Sequence, residues 1–290
     1  MDYLLHILIL AAIYSILAVS LDLLAGHAGL LAVCQAAFWG LGAYASAVLT
    51  VDYGVYFPLG ILAGMCLGVL ASFLVSLPSL RLTDDYFVIA TFGFQIIAFA
   101  IFNNWASLTR GPLGIPGIPP PTIFGWRVDS QWKFLLLAVI GAVAAYIVVN
   151  RISSSPFGRV LHAIREDEIF AASLGKNTLR FKVTAFAVSA ALAAMAGSLY
   201  AHYITYIDPT NFTLTESILI ISMVIVGGAG SRWGPLTGVL VLVVMPESLR
   251  FIGLPSAIAA NVRQIMYGVL LVVMMLFRPQ GLAGQYRFGR

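Results

Sequence analysis

Apolar residues in this chain come in long uninterrupted runs separated by short polar stretches, and not in the alternating or half-polar patterns of a soluble domain. A helix needs about 20 mostly apolar residues to cross a hydrocarbon core, because each adds about 1.5 Å and no water is present there to satisfy backbone groups. The runs predict about nine such helices, over residues 3–24, 28–50, 56–77, 85–105, 132–150, 183–204, 215–229, 234–252 and 263–277. The seventh is short and ends at Gly227, Gly228 and Gly230, so a broken or partly re-entrant helix is expected there. One stretch stands apart: residues 151–182 carry six basic and three acidic side chains. The pattern therefore predicts an all-α, polytopic membrane bundle, one transmembrane domain over residues 1–290 with a charged loop at 151–182.

Composition agrees, with 60% hydrophobic and 10% charged residues and a mean hydropathy of +0.95, values that the surface of a water-soluble domain does not tolerate. The first run has no basic n-region and is too long for a signal-peptide core, so it is expected to stay in the mature chain. Cys34 and Cys66 both fall inside predicted spans without a C-x-x-C or His cluster, which points to neither a disulfide framework nor a metal site.

Basic residues are retained on the cytoplasmic side of a membrane. Placing 151–182 inside collects Arg81, the six basic residues of the island, Arg232, Arg278, Arg287 and Arg290 there, eleven of sixteen. Arg110, Arg127, Lys133, Arg250 and Arg263 fall outside, the N-terminus outside and the C-terminus inside. Tyr53, Tyr56, Trp105, Trp126, Trp132, Tyr203 and Tyr206 then gather near the outer interface, where amphipathic rings prefer to sit. The net charge of +4 is thus topological, and no nucleic-acid partner is implied.

Two helices carry small residues at four-residue spacing: Gly60, Gly64, Gly68, Ser72 and Ser76 on the third, and Ala185, Ser189, Ala193, Gly197 and Ala201 on the sixth. In lipid such stripes allow close backbone approach, and packing seams are the first reading, pathway lining the second. Polar groups within the spans are few. Gln35, Thr91 and Gln95, with Asn103 and Asn104 near an outer end, either line a pathway for a polar solute or bond helices together. Asp22 and Glu216 lie near span ends, within snorkelling reach of water. Rows of intramembrane acids or histidines, regular arginines and selectivity-filter patterns are all missing, as are a phosphate-binding loop, H-E-x-x-H and G-x-S-x-G. An enzyme is therefore not indicated, and no cofactor site is expected in this chain. A short G-x-A-G echo links Gly26–Gly29 with Gly227–Gly230, too brief to define a repeat.

Within the island, Ser155 and Pro156 form a helix start. Phe157, Val160, Leu161 and Ile164 then recur at helical spacing, Arg159, His162, Arg165, Glu166 and Asp167 fill other faces, Gly175 ends the helix and Thr178 caps the next. Such a helix either lies on anionic lipid or fills a groove on a cytosolic protein, and the triplet Glu166, Asp167, Glu168 favours the protein.

The run Gly158-Arg159 through Ala163-Ile164-Arg165-Glu166, Ala171, Leu174-Gly175 and Arg180-Phe181-Lys182 resembles the cytoplasmic loop of permease subunits of bacterial branched-chain amino acid ABC transporters. So do Ala36-Ala37-Phe38 with Gly40-Leu41-Gly42-Ala43-Tyr44, Asp85-Tyr86-Phe87 with Thr91, Ala196-Gly197-Ser198-Leu199-Tyr200-Ala201, Gly227-Gly228 with Gly230-Ser231 and Trp233-Gly234-Pro235, and Phe277-Arg278-Pro279-Gln280-Gly281. The resemblance implies a bacterial inner-membrane subunit that pairs with a second permease, is fed by a periplasmic binding protein and is driven by two ATP-binding subunits, which hold the ATP and Mg. It implies coupling to the ATPase through residues 157–175, namely Phe157, Arg159, Leu161, Ile164, Arg165, Glu166, Glu168 and Gly175. Two departures are Phe170, where the family usually carries alanine, and an additional N-terminal span of many relatives, whose absence agrees with an outside N-terminus. Within this class a urea or amide permease is an alternative; outside it, a gradient-driven carrier or channel for a small polar solute. A carrier would need paired intramembrane acids, which are not evident. The proline-rich segment 106–131 is stiff enough either to present a surface to a binding protein or simply to connect two spans.

Overall fold

In a computed structural model the chain is described over residues 2–80, 84–123, 126–250, 256–278 and 280–283. Arg81, Pro279, Arg287 and Arg290 lie outside the described residues, as do the side chains of Trp126, Arg250 and Arg263.

The long helices are α1 (Asp2–Asp22), α2 (Gln35–Val51), α3 (Phe57–Ser79) and α4 (Asp84–Asn104), followed by the short α5 (Ala106–Thr109). Then come α6 (Gln131–Ser154), α7 (Pro156–Glu166), α8 (Glu168–Ser173), α9 (Thr178–Ile204), α10 (Leu214–Gly227), α11 (Gly234–Arg250) and α12 (Ser256–Phe277). Four two-residue strands, β1 (Ile115–Pro116), β2 (Thr122–Ile123), β3 (Trp126–Arg127) and β4 (Tyr206–Ile207), serve only to fasten loops: β1 pairs with β4 and β2 with β3, both antiparallel. Among the described residues six helices are long and apolar enough to cross a membrane: Asp2–Ala28, Phe57–Ser79, Asp85–Asn104, Gln131–Ser154, Thr178–Ile204 and Pro209–Gly227. The all-α, multi-span class is thus present.

Three boundaries differ from the sequence expectation, each for a backbone reason. The first helix runs on as a π-turn over Leu23–Ala28 and stops at Gly29, whose φ of 73° is left-handed, so the second begins at Gln35 and not at 28. The seventh helix is 14 residues long and ends at Gly227, and with the turn before it makes up the 19-residue apolar segment Pro209–Gly227. A 3-10 turn over Pro209–Phe212 precedes it, and the buried Phe212 plugs the bundle there. The expected single helix of the charged island is two, broken at Asp167, whose carboxylate accepts from the Phe170 N–H at 2.9 Å and so caps α8. Asn177, not Thr178, caps α9.

At the centre, α9 packs most extensively against α2 and α3. A Cβ built on Gly42 would lie 2.0 Å from the Ala194 carbonyl oxygen, and one on Gly197 only 1.9 Å from that of Trp39. Backbone meets backbone here, which only glycine permits. Gly60, Gly64 and Gly68 of α3 lie against Ser46, Ser198 with Gly42, and Ala190 respectively, and Ser72 and Ser76 continue the same buried stripe. Elsewhere on α9, Ala193 is buried and Ser189 donates to the Ser20 carbonyl of α1 at 2.7 Å.

The two ends of the bundle differ in kind. At one end gather α7, α8, the π-turn, the 228–230 turn and residues 281–283, whose Leu282 and Ala283 amides donate to the Val226 and Gly227 carbonyls at the end of α10. The opposite end holds the proline-rich segment. It is fastened by β1–β4, by the Ile118 amide on the Thr205 carbonyl, and by an Asp52–Arg110 pair at 2.9 Å. His202 closes this fastening from inside: its Nδ1 lies 2.8 Å from the Pro119 carbonyl, its Nε2 3.0 Å from the Ser46 hydroxyl. A carbonyl only accepts, so Nδ1 carries the proton and Nε2 accepts from Ser46. Arg110, Arg127 and Lys133 sit at this end, and Arg232 at the other.

Gly197→Ala should lower the thermal stability of the purified chain by about 1–3 kcal/mol through overpacking. Gly93→Ala, whose Cβ meets nothing within 4 Å, should leave it unchanged or raise it by up to about 1 kcal/mol. Thermal unfolding in detergent compares the two. His202→Ala strips the Pro119 carbonyl and the Ser46 hydroxyl of a partner, and limited proteolysis should cut within 106–131 faster than in the parent.

Candidate functional site

The charged loop is shaped by its own sequence. Ser155 caps α7, its hydroxyl accepting from the Gly158 amide at 3.3 Å, and Pro156 occupies the first turn. Asp167 restarts the chain as α8, and Lys182, buried at the start of α9, donates to Glu168 at 2.6 Å. Gly175, with φ of 77°, turns the chain toward α9; a side chain there would be strained but would meet nothing within 4 Å.

Of the residues expected to couple to an ATPase, Arg159 and Glu166 are exposed. Leu161 and Ile164 are not: at 0% and 4% exposure they anchor α7 into the bundle of this chain. Phe157 is half-buried, its ring 4.9 Å from that of Phe181. Arg165 turns inward and donates to the Gly26 carbonyl, and Glu168 is engaged by Lys182. The apolar knobs of the loop lie instead on and just after α8, where Ile169, Phe170 and Leu174 are 84%, 60% and 62% exposed. The structure thus corrects the assignment of Leu161 and Ile164. The missed signal is Asp167, which read as a helix cap would have placed Ile169, Phe170 and Leu174 on a separate short helix.

Behind α7 lies a histidine pair that the sequence did not suggest. His27 Nδ1 and His162 Nε2 are 3.1 Å apart with their rings edge to face. Burial, helped by Arg165 and opposed by Glu166, holds the His162 imidazole below its ordinary value, which suits a neutral N–H···N contact.

The polar residues within the spans have a definite task. Helix α2 begins inside the bundle, where its first amides have no water to meet. Thr91 accepts from the Val33 amide at 3.2 Å, Ser217 from the Ala36 amide at 3.0 Å, and the Gln95 Oε1 from the Ala37 amide at 2.8 Å. Gln95 Nε2 donates to the Phe212 carbonyl, so one side chain joins the starts of α2 and α10. Gln35 donates to the Ser20 hydroxyl at 2.6 Å. Ser217 had drawn no attention, because a lone serine in an apolar run carries no periodic signal. Among the described residues no group of three or more His, Cys, Asp or Glu side chains is arranged to hold a metal ion, and both cysteines are free thiols.

With this geometry in place, comparisons with known proteins give the family. The family model described as branched-chain amino acid transport system / permease component matches residues 3–276. The high-affinity branched-chain amino acid transport system permease protein LivM of Escherichia coli (strain K12) is 36% identical over 94% of this chain and 68% of its own length. A probable branched-chain amino acid transport permease protein LivM from Methanocaldococcus jannaschii is 27% identical over 77% of this chain and 67% of its own. The permease protein LivH of Salmonella typhimurium is 28% identical over 65% of this chain and 62% of its own. No solved structure matches. The chain belongs to the permease-component family of branched-chain amino acid transport systems.

Proposed function

We propose that this chain is one of two permease subunits of an ATP-driven importer in a bacterial inner membrane, carrying branched-chain or chemically similar neutral amino acids inward. The observation that carries this reading is the exposed apolar tip Ile169, Phe170 and Leu174, borne on a helix fixed by the Asp167 cap and the Glu168–Lys182 pair. Three large apolar side chains held out to water at a charged loop gain most by entering a groove on a cytosolic protein. The chain has no phosphate-binding loop, so the force comes from elsewhere, and an ATP-binding subunit holding ATP and Mg is the occupant of chemistry that fits. Each of two such subunits grips one permease, with Arg159 and Glu166 at the rim of the contact.

In this reading the end that carries α7 and α8 faces the cytoplasm, which agrees with the distribution of basic residues. The fastened proline-rich end faces the periplasm and offers a fixed surface to a solute-binding protein. The second permease is a related chain of the kind that LivH represents, and membrane lipid covers the remaining apolar faces. Gln35, Thr91 and Gln95 act here as braces that hold the unwound segment 29–34 beside the pathway, with their polar atoms turned to the protein.

Burying each exposed knob contributes about 2 kcal/mol, so the double variant Ile169→Ser with Phe170→Ser should weaken capture of the ATP-binding subunit on the order of a hundredfold or more. Co-purification from membranes and ATP-dependent uptake into proteoliposomes measure this. Undiminished co-purification in that variant, or full-rate transport by this chain reconstituted alone, would overturn the reading.

A further inference from the structure

The two G-x-A-G turns, Gly26–Gly29 and Gly227–Gly230, far apart in sequence, interlock at the end of the bundle beneath α7. A Cβ on Gly26 would lie 2.3 Å from the Gly230 nitrogen and 2.2 Å from Asp22 Oδ1. One on Gly230 would lie 2.8 Å from the Gly26 oxygen and 3.1 Å from Arg165 Nη1. Neither turn tolerates a side chain facing the other.

Two charged groups clasp them. Asp22, at the end of α1, accepts from the Gly230 amide at 2.7 Å, and Arg165, from α7, donates to the Gly26 carbonyl. The Arg165 stem fills the space beside Gly29, where a Cβ would lie 2.9 Å from its Cγ. The Arg165 guanidinium also lies within electrostatic reach of the Asp22 carboxylate. His162, one turn before Arg165, reaches His27 in the same π-turn.

These contacts join α7 to two places where the backbone bends readily. One is a π-turn, whose hydrogen bonding is looser than that of an α-helix. The other contains Gly228 and Gly230 at φ of 109° and 77°. Among the described residues helix α8 packs mainly on α7 and less on α9, so a push on its tip reaches the bundle chiefly through α7.

We infer that Asp22, Arg165 and the two glycine turns form a mechanical joint through which α7 moves the ends of α1 and α10 together, with Arg165 as the positioning residue. This rests on the docking reading for α8, and assigns Arg165 a task other than touching the ATP-binding subunit.

The test uses the full complex in proteoliposomes. Arg165→Gln should co-purify with the ATP-binding subunit at the parental ratio, while solute taken up per ATP hydrolysed falls at least about tenfold, the loss expected for one charge-assisted hydrogen bond. Arg165→Lys, which keeps a cationic donor, should recover a substantial part of that ratio. Loss of co-purification, an unchanged ratio, or a lysine variant no better than glutamine would each overturn the inference. A failure of the docking reading shows separately, as retained co-purification of the Ile169→Ser, Phe170→Ser variant. Hydrogen–deuterium exchange of the unmodified complex, with and without a non-hydrolysable ATP analogue, tests the joint even if Arg165→Gln does not accumulate. Segments 22–29, 159–165 and 227–230 should change protection together; a change confined to 159–173 would overturn the joint.

Discussion

Every break in a helix at membrane depth exposes amides and carbonyls that no water can reach, and this chain is organised around meeting that demand. The start of α2 takes its partners from Thr91 on α4 and from Gln95 and Ser217 on α4 and α10. The end of α10 takes two from residues 282 and 283. Because these groups come from α4, α10 and the segment after α12, satisfying the breaks also sets how the helices stand to one another. Gln95 makes the point most sharply, since one amide group serves the first turn of α2 and the carbonyl before α10.

Between the breaks, cohesion comes from closeness. Lipid tails are as apolar as the helices, so the bundle gains little from hiding apolar surface and must gain from dense contact. Gly42 and Gly197 let α2 and α9 touch along their backbones, and the α3 stripe lays Gly60, Gly64 and Gly68 against the same seam. The α3 glycines and Gly197 stood out in the sequence by the four-residue spacing of small side chains, whereas Gly42 carried no such spacing. Six of the nine expected spans are present as membrane-length helices among the described residues, and they were legible for the same kind of reason: their length and apolarity are imposed by the membrane and not by neighbours.

What the sequence concealed was decided by tertiary partners. Helical periodicity marked Leu161 and Ile164 correctly as one apolar face of α7, but periodicity does not say whether such a face meets its own chain or another. The bundle of this chain claims it, and the exposed apolar side chains of the loop are instead Ile169, Phe170 and Leu174 beyond the Asp167 break. Arg165 likewise read as part of the set that couples to the ATPase, although its guanidinium is turned to a backbone carbonyl that only the folded π-turn presents. The G-x-A-G echo was visible as letters and silent as chemistry until the two turns were seen against each other.

The link between Lys182 and Glu168 has a further consequence. Its lysine is enclosed while its carboxylate is still partly wet, so water screens the attraction and leaves α8 some give. Any body that seats on α8 and expels this water lowers the local dielectric and strengthens the remaining pull. A partner seated there as proposed would therefore meet a pliant lever and leave a stiff one, a property written into one half-hydrated pair of charges.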